Sequence, residues 1–214
     1  MSQRKYYPKK ADDEDVVNPQ MAIVVNNTKK VYVAPSSQDI HFYVSGEIGS
    51  PEDYIDWFHI IRNAGENDTI TIHINSNGGV LSTAIQFMRV LRESDATVTT
   101  SVEGDCMSAA TLLFLCGDNV EISEHSMFMF HNYSGGLVGK GGEIHDAATY
   151  ERKWSENLWK SEYKDFLTET EIASMLDGKD LWMDGDEVLR RLNKKSKAIL
   201  KEIKKKKATE EKTE

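Results

Sequence analysis

The chain is 214 residues long, 39% of them hydrophobic, and its formal net charge is −9 at pH 7. This length fits one domain with a substantial core, and the negative charge argues against nucleic acid as a partner. No run comes near the roughly 18 apolar residues of a membrane span, and no apolar secretory signal is visible. The cysteines, Cys106 and Cys116, match no metal-binding spacing, and we interpret them as small core residues in a reducing, cytoplasmic setting.

The two ends of the chain are the most polar segments. Residues 1–20 contain a basic cluster followed by an acidic one and predict a flexible N-terminal segment. Residues 194–214 form a tail with eight lysines between positions 194 and 207. Such a tail can contact an acidic partner or nucleic acid, but a solvated helical end explains it more simply. Residues 21–193 are left as the folded domain.

Strand and helix patterns alternate along this domain. Two β-branched runs over 21–33 predict a hairpin or loop, and the segments 46–50 and 104–107 predict turns. Apolar and β-branched patterns predict strands over 39–44, 69–74, 97–102, 120–123, 127–130 and 179–183. Helical spacing predicts helices from Pro51, over 80–93, 108–115 and 143–167, from Thr168, and over 184–192. This order predicts a layered α/β domain with right-handed parallel crossovers.

The sequence Asn-Ser-Asn-Gly-Gly at 75–79 lies where a strand pattern stops and a helix pattern begins. Backbone amides at such a junction can bind an anion or an oxyanion. A tight turn that needs glycine explains the same residues without any ligand.

Ser108 and His131 are the side chains best placed for chemistry. Ser108 begins a predicted buried helix after a strand, where a hydroxyl can act as a nucleophile or simply cap the helix. His131 ends the strand at 127–130, and its imidazole can act as a general base or be an ordinary histidine. Asp180 can orient that imidazole, but spacing alone does not distinguish it from its acidic neighbours Asp177, Asp184 and Asp186.

Taken together and in this order, these motifs resemble the Clp protease proteolytic subunit (ClpP) family over roughly residues 39–192. The matching elements are Asn-Ser-Asn-Gly-Gly, Met-Ser-Ala-Ala, Met-Phe-Met-Phe-His and Lys-Asp-Leu-Trp-Met. The resemblance implies an α/β fold of the ClpP/crotonase-like ββα spiral type, with a strand-helix handle protruding at about 132–167. It assigns nucleophile, general base, orienting acid and two oxyanion-hole amides to Ser108, His131, Asp180, Gly79 and Ala109.

The same resemblance implies how such a protein works. The glycine-rich stretch with Gly135 and Gly136 looks like the handle strand that binds an extended peptide substrate. The long helix that follows matches the element that joins two rings, which implies a homo-oligomer built as a heptameric ring or stacked double ring. Unfolded proteins or peptides are the implied substrates, an AAA+ unfoldase is the implied partner, and the hydrolysis itself needs no ATP, metal or cofactor.

Several positions depart from the family pattern. Asn77 replaces the usual proline, Asp105-Cys106-Met107 replaces small residues, and Asn132-Tyr133 follows the histidine in place of Gln-Pro. The lysine-rich tail replaces the usual closing sequence. These changes suggest a divergent member, encoded by a bacterium or a bacteriophage and acting in the cytoplasm of the bacterium or of the infected host cell.

Three other interpretations remain open from the sequence. A viral protease that matures capsid or scaffold proteins would use the same site. An acyl-CoA hydratase or isomerase of the crotonase type would share the spiral fold and paired oxyanion amides, but would use carboxylate acid/base groups. A non-catalytic ring subunit is the third, although all three triad positions are filled here.

Overall fold

The computed structural model describes residues 4–6, 21–24 and 30–33 as backbone strands, and residues 37–194 and 196–197 in full. Most of the predicted N-terminal segment and of the lysine-rich tail therefore lies outside the described residues. The strands are β1 (Arg4–Tyr6), β2 (Met21–Val24), β3 (Lys30–Val33), β4 (Asp39–Ile48), β5 (Thr69–Gly79), β6 (Thr97–Met107), β7 (Asn119–Ile122), β8 (Met127–Phe130) and β9 (Leu181–Asp184). The helices are α1 (Ile55–Asn63), α2 (Leu81–Glu93), α3 (Ala110–Phe114), α4 (Gly141–Tyr163), α5 (Glu169–Leu176) and α6 (185–194).

A mixed sheet of seven strands forms the framework, with β4, β5, β6 and β7 parallel to one another and β1 antiparallel at the edge of β7. The α/β fold class expected from the sequence is thereby confirmed. Strands β2 and β3, in the segment predicted to form a hairpin or loop, pair antiparallel. Residues 4–6, part of the segment predicted to be flexible, pair with β7 as β1.

Strand β6 is long enough to pair with two different strands on one side. Its first half pairs with β7, and its last three residues, Asp105–Met107, pair in parallel with β8. Strand β9 then pairs antiparallel with β8. The carboxyl ends of β6 and β8 therefore meet at one edge, which is where parallel folds place their active sites.

Helices α1 and α2 cover one face of the sheet. Their apolar faces enclose an aromatic cluster in which Phe58 and Phe87 meet edge to face with ring centroids 4.7 Å apart. Pro51 occupies the first position of a 3₁₀ turn before α1, where its missing N–H costs nothing. The five residues of α3 are all buried, so the turn before α3 rests on a rigid core.

The C-terminal elements pack beside this core. A capping box begins α5, the helix predicted from Thr168, where Thr168 Oγ1 accepts from Glu171 N at 3.2 Å. Asp184 caps α6 by accepting from Glu187 N at 2.8 Å. Helix α4 is buried only in its second half, through Ser155, Trp159 and Tyr163.

Three local predictions differ from the structure. The first three residues of 46–50, predicted as a turn, continue β4, because Glu47 and Ile48 pair with Gly78 and Gly79 of β5. Residues 104–107, also predicted as a turn, continue β6 because they pair with β8, a contact that sequence periodicity does not report. The predicted handle strand after His131 is not formed, since residues 131–140 have neither strand nor helix structure. A strand requires a neighbouring backbone to pair with, and none lies beside this segment within the described residues.

Candidate active site

Ser108 lies in the tight turn between β6 and α3. It is the one non-glycine residue of the described chain with a positive φ, which is 54°. Its amide donates to the carbonyl of Met129 in β8 at 2.8 Å, which fixes the turn to the neighbouring strand. A non-glycine residue held in the left-handed region is strained, and such residues concentrate at functional sites.

His131 directly follows β8 and reaches the serine. Its Nε2 lies 2.6 Å from Ser108 Oγ, which is a short hydrogen bond. The contact follows from the pairing of Met107 with Met129, because each of the two side chains comes one or two residues after that pair. An imidazole at this distance can remove the hydroxyl proton.

Asp180 lies on the other side of the imidazole. The β8–β9 register pairs Phe130 with Leu181, so the next residues outward, His131 and Asp180, are opposite each other. The Asp180 Oδ1 to His131 Nδ1 distance is 3.9 Å, longer than a hydrogen bond, and the Asp180 side chain is 52% exposed. Of the three acidic neighbours that competed with it, Asp184 is already used as the α6 cap.

Two glycines and one alanine bring backbone amides to the serine. A Cβ on Gly78 would lie 2.7 Å from the Met107 carbonyl oxygen and 2.9 Å from the Ala109 nitrogen, so only glycine permits this approach. A Cβ on Gly79 would lie 2.3 Å from the Ile48 carbonyl oxygen. Within the described residues, the Ala109 N–H meets no acceptor. A free N–H beside a hydroxyl can stabilise an oxyanion.

A cleft of about 500 Å³ opens in front of these groups. It is lined by both polar site residues and apolar side chains, among them Gly79, Leu81, Ser108, Ala109, Met129, His131, Tyr133 and Trp159. Gly135 and Gly136 are exposed on the loop beyond it, and a Cβ on either would meet nothing within 4 Å. Gly135 instead lines a second cavity of about 1020 Å³ between this loop, α4 and α5.

Sequence reasoning missed some residues of this site. Gly78 was in the quoted motif, yet only its packing against Ala109 N reveals its role. Trp159 lies within the helix predicted over 143–167, but nothing local connects it to His131, 28 positions away. Its Nε1 donates to Asn132 Oδ1 at 2.9 Å, beside the histidine.

The thiol nearest to the serine is a poor nucleophile. Burial raises the pKa of Cys106 well above its ordinary value, and burial raises the pKa of Cys116 to about 11. Because the thiolate is the reactive form, neither cysteine is activated near neutral pH. Among the hydroxyls that line the cleft, the Ser108 hydroxyl is distinguished by its hydrogen bond with His131.

The described side chains contain no group of three or more His, Cys, Asp or Glu residues arranged to hold a metal ion. Across the same residues, no helix has both the length and the apolar character that a bilayer crossing requires.

Comparison with known families was informative for this chain. The family model described as Clp protease matches residues 32–191, well over half of the sequence. The chain belongs to the Clp protease family. Membership confirms the resemblance inferred from the motifs and places the protein among peptidases.

The Clp protease fold is also found by comparison with solved structures. A point mutant of ClpP1 from Listeria monocytogenes matches with a TM-score of 0.59 and 21% sequence identity, covering 71% of this chain and 86% of that chain. At this identity the match supports the fold alone. No curated protein sequence matches the chain significantly.

Proposed function

We propose that this Clp protease family member is a serine endopeptidase with Ser108 as nucleophile, His131 as general base and acid, and Asp180 as the residue that orients His131. The observation that carries the proposal is the 2.6 Å contact between Ser108 Oγ and His131 Nε2 at the end of two paired strands. The strained backbone of Ser108 and the high pKa of both thiols support the choice of serine.

Hydrolysis would proceed in two steps. His131 Nε2 takes the Ser108 Oγ proton as the oxygen attacks the carbonyl carbon of the scissile bond. The amides of Gly79 and Ala109 donate to the oxyanion of the tetrahedral intermediate. The C–N bond then breaks, His131 gives its proton to the leaving amine, and an acyl-enzyme remains. Water, deprotonated by His131, attacks the acyl carbon and releases the acid and Ser108.

Asp180 would act through the imidazole. His131 Nε2 can accept a proton only if the neutral ring carries its hydrogen on Nδ1. A carboxylate opposite Nδ1 favours that tautomer and stabilises the imidazolium that forms. The 3.9 Å separation must shorten by roughly 1 Å for a hydrogen bond to form. Substrate binding or subunit assembly would supply that shift.

Family membership supports a proposal for the substrate and the assembly. We propose unfolded proteins or peptides as substrates, lying along the loop with Gly135 and Gly136, and a homo-oligomeric ring, heptameric or stacked in pairs. An AAA+ unfoldase would deliver substrates in the cytoplasm of a bacterium or of a bacteriophage-infected cell. A capsid or scaffold maturation protease would use the same residues, and its substrate would be a native assembly protein. The hydroxyl–imidazole contact has no role in crotonase chemistry, so the geometry favours the peptidase.

Labelling with a fluorophosphonate probe tests the proposal directly. We expect intact mass to show one adduct on the parent protein and none on Ser108→Ala. Hydrolysis of an unfolded protein such as casein should be lost in the same variant. An adduct that persists in Ser108→Ala would show that another residue is the nucleophile. Native mass spectrometry of both proteins gives the ring stoichiometry and confirms that the substitution leaves assembly intact.

A further inference from the structure

A buried chain of two hydroxyls ends on the carbonyl of Ser108. Thr111 Oγ1 lies 2.7 Å from that carbonyl oxygen, and the hydroxyl of Tyr163 in α4 lies 2.7 Å from Thr111 Oγ1. The Thr111 amide donates to the same carbonyl at 3.0 Å. Thr111 and Tyr163 are both fully buried, so water does not compete for these hydrogen bonds.

The direction of the chain is fixed by proton counting. Thr111 has one hydroxyl hydrogen, and the Ser108 carbonyl can only accept it. Thr111 Oγ1 must therefore accept from Tyr163, whose hydroxyl donates. Burial raises the pKa of Tyr163 above its ordinary value, so the phenol keeps this proton throughout the working pH range.

The Ser108 carbonyl and the Ala109 N–H belong to one peptide unit. That unit is planar and trans, so its C=O and N–H point in opposite directions. Hydrogen bonds that hold the Ser108 carbonyl toward the core therefore turn the Ala109 N–H toward the cleft. The bond from the Thr111 amide belongs to the first helical turn, where Ala109 has ordinary helical angles. The buried hydroxyls add a second, side-chain hydrogen bond to the same carbonyl.

The same end of α4 also contacts the histidine side of the site. Tyr163 stacks on Trp159 with ring centroids 5.3 Å apart and planes 8° from parallel. Trp159 donates to Asn132, the residue after His131, and lines the cleft. One helical turn thus touches the segments that carry both the nucleophile and the base.

We propose that Thr111 and Tyr163 are positioning residues that aim the Ala109 N–H at the oxyanion, through the hydrogen-bonded chain from the Tyr163 hydroxyl to the Ser108 carbonyl. The inference rests on the proposed peptidase function and deepens it. It adds two residues, one of them on a helix remote in sequence, to the machinery that stabilises the transition state.

Steady-state hydrolysis of a fluorogenic peptide by Tyr163→Phe tests the inference. We expect kcat to fall by roughly 10- to 100-fold with KM unchanged, somewhat less than the loss on removing an oxyanion donor outright. Thr111→Val should show a similar fall and Thr111→Ser, which keeps the hydroxyl, should stay within about threefold of the parent. The double variant Tyr163→Phe/Thr111→Val should lose little more than either single one, because both break one chain.

Tyr150→Phe is the matched control, since Tyr150 lies on the same helix but is 71% exposed. The inference is overturned if Tyr163→Phe changes kcat no more than this control, or if KM rises while kcat is kept. If Tyr163→Phe fails to fold, the contrast between Thr111→Val and Thr111→Ser decides, and equal kcat values for those two overturn the inference. A parent protein that is neither labelled by fluorophosphonate nor able to cleave peptide would instead overturn the proposed function itself.

Discussion

The two ring nitrogens of His131 are held in different ways. On one side, Nε2 lies 2.6 Å from Ser108 Oγ, and the serine turn is fixed by the hydrogen bond from its amide to Met129 in β8. On the other side, Nδ1 is 3.9 Å from Asp180, whose side chain is half exposed at the start of the edge strand β9. The Ser108–His131 contact is fixed by the pairing of strands in the sheet, whereas the Asp180–His131 contact depends on the loop that precedes β9.

This difference separates what one chain can fix from what its surroundings must complete. Strands β6 and β8 are paired inside the sheet, so the positions of Ser108 and His131 are determined by backbone hydrogen bonds. Among the described strands, β9 pairs with β8 alone, and Asp180 precedes its first paired residue. The segment with Asp180 therefore has low local stability, and we expect it to be the part of the site that moves when substrate or another subunit binds.

Removing the imidazole of His131, which faces both Ser108 and Asp180, should have the largest effect on hydrolysis. His131→Ala deletes the proposed base, and we expect kcat to fall on the order of 10⁶-fold, as for the catalytic histidine of subtilisin. Burst kinetics with an activated ester would measure the loss at the acylation step. His125→Ala, on the loop before β8, is the control and should match the parent. Retention of more than about a hundredth of the parent activity would contradict the role of His131.

Asp180→Asn removes only the carboxylate that faces His131 Nδ1. We expect kcat to fall by roughly 10³- to 10⁴-fold, because the neutral amide neither selects the Nδ1–H tautomer nor stabilises the imidazolium. Asp177→Asn, three residues earlier in the same segment, is a matched control that should keep parental activity. Equal rates for the two variants would mean that the 3.9 Å separation never closes and that His131 works without a carboxylate.

Gly78→Ala should displace the turn that carries Ser108 without changing His131 itself. The added methyl group would lie 2.7 Å from both the Met107 carbonyl oxygen and Ser108 Cβ, and the positive φ of 92° is itself unfavourable for alanine. A shift of about 1 Å at the serine can cost on the order of 10²-fold in rate. We expect that loss in kcat/KM, together with slower fluorophosphonate labelling. A labelling rate equal to that of Gly46→Ala, which meets no atom within 4 Å, would refute the steric account.

The smallest expected effect on activity comes from the Arg191–Glu171 ion pair, which joins α6 to α5 near Asp180. Arg191 of α6 holds Glu171 of α5 with two hydrogen bonds of 2.7 and 2.8 Å, and α5 and α6 flank the segment that carries Asp180. This pairing with Arg191 lowers the pKa of Glu171 to about 2. We expect Glu171→Gln to reduce the free energy of unfolding by about 2 kcal/mol at pH 7 and to reduce activity only a few-fold.

The sign of the pH dependence follows from the lowered pKa of Glu171. A carboxyl whose folded pKa lies below its ordinary value of 4.5 contributes stability that is fully present above about pH 4.5 and is lost as pH falls toward about 2. Urea unfolding of Glu171→Gln and the parent should therefore differ most at pH 7, differ less at pH 3, and converge only near or below pH 2. Glu169→Gln, two positions earlier on α5, is the control. A difference that grows on acidification would contradict this role of the ion pair.

The sequence was informative where local rules determine the structure. Alternation at Ile70, Ile72 and Ile74 predicts β5, and the capping box at Thr168 predicts the start of α5, because both signals lie within a few residues. The family motifs selected Ser108, His131 and Asp180, and the structure brings the three side chains together, although their catalytic roles remain proposals.

Contacts between distant segments were not accessible in the same way. The pairing of Asp105–Met107 with β8 extended a strand where the sequence predicted a turn, since register between strands is not encoded by periodicity. The left-handed conformation of Ser108 has no sequence signal, because the residue is not glycine. The chain from Tyr163 to Ser108 spans more than 50 positions and depends on how α4 packs.

The backbone of Ser108 implies a trade-off between stability and activity. Its φ of 54° suits glycine better than any L residue, so natural selection for a more robust fold alone would replace the serine with glycine. Ser108→Gly should be more stable than Ser108→Ala by about 1 kcal/mol in thermal or chemical unfolding, since alanine retains the strain and glycine relieves it. The chain thus keeps a residue that weakens its own fold at the position from which its hydroxyl reaches His131.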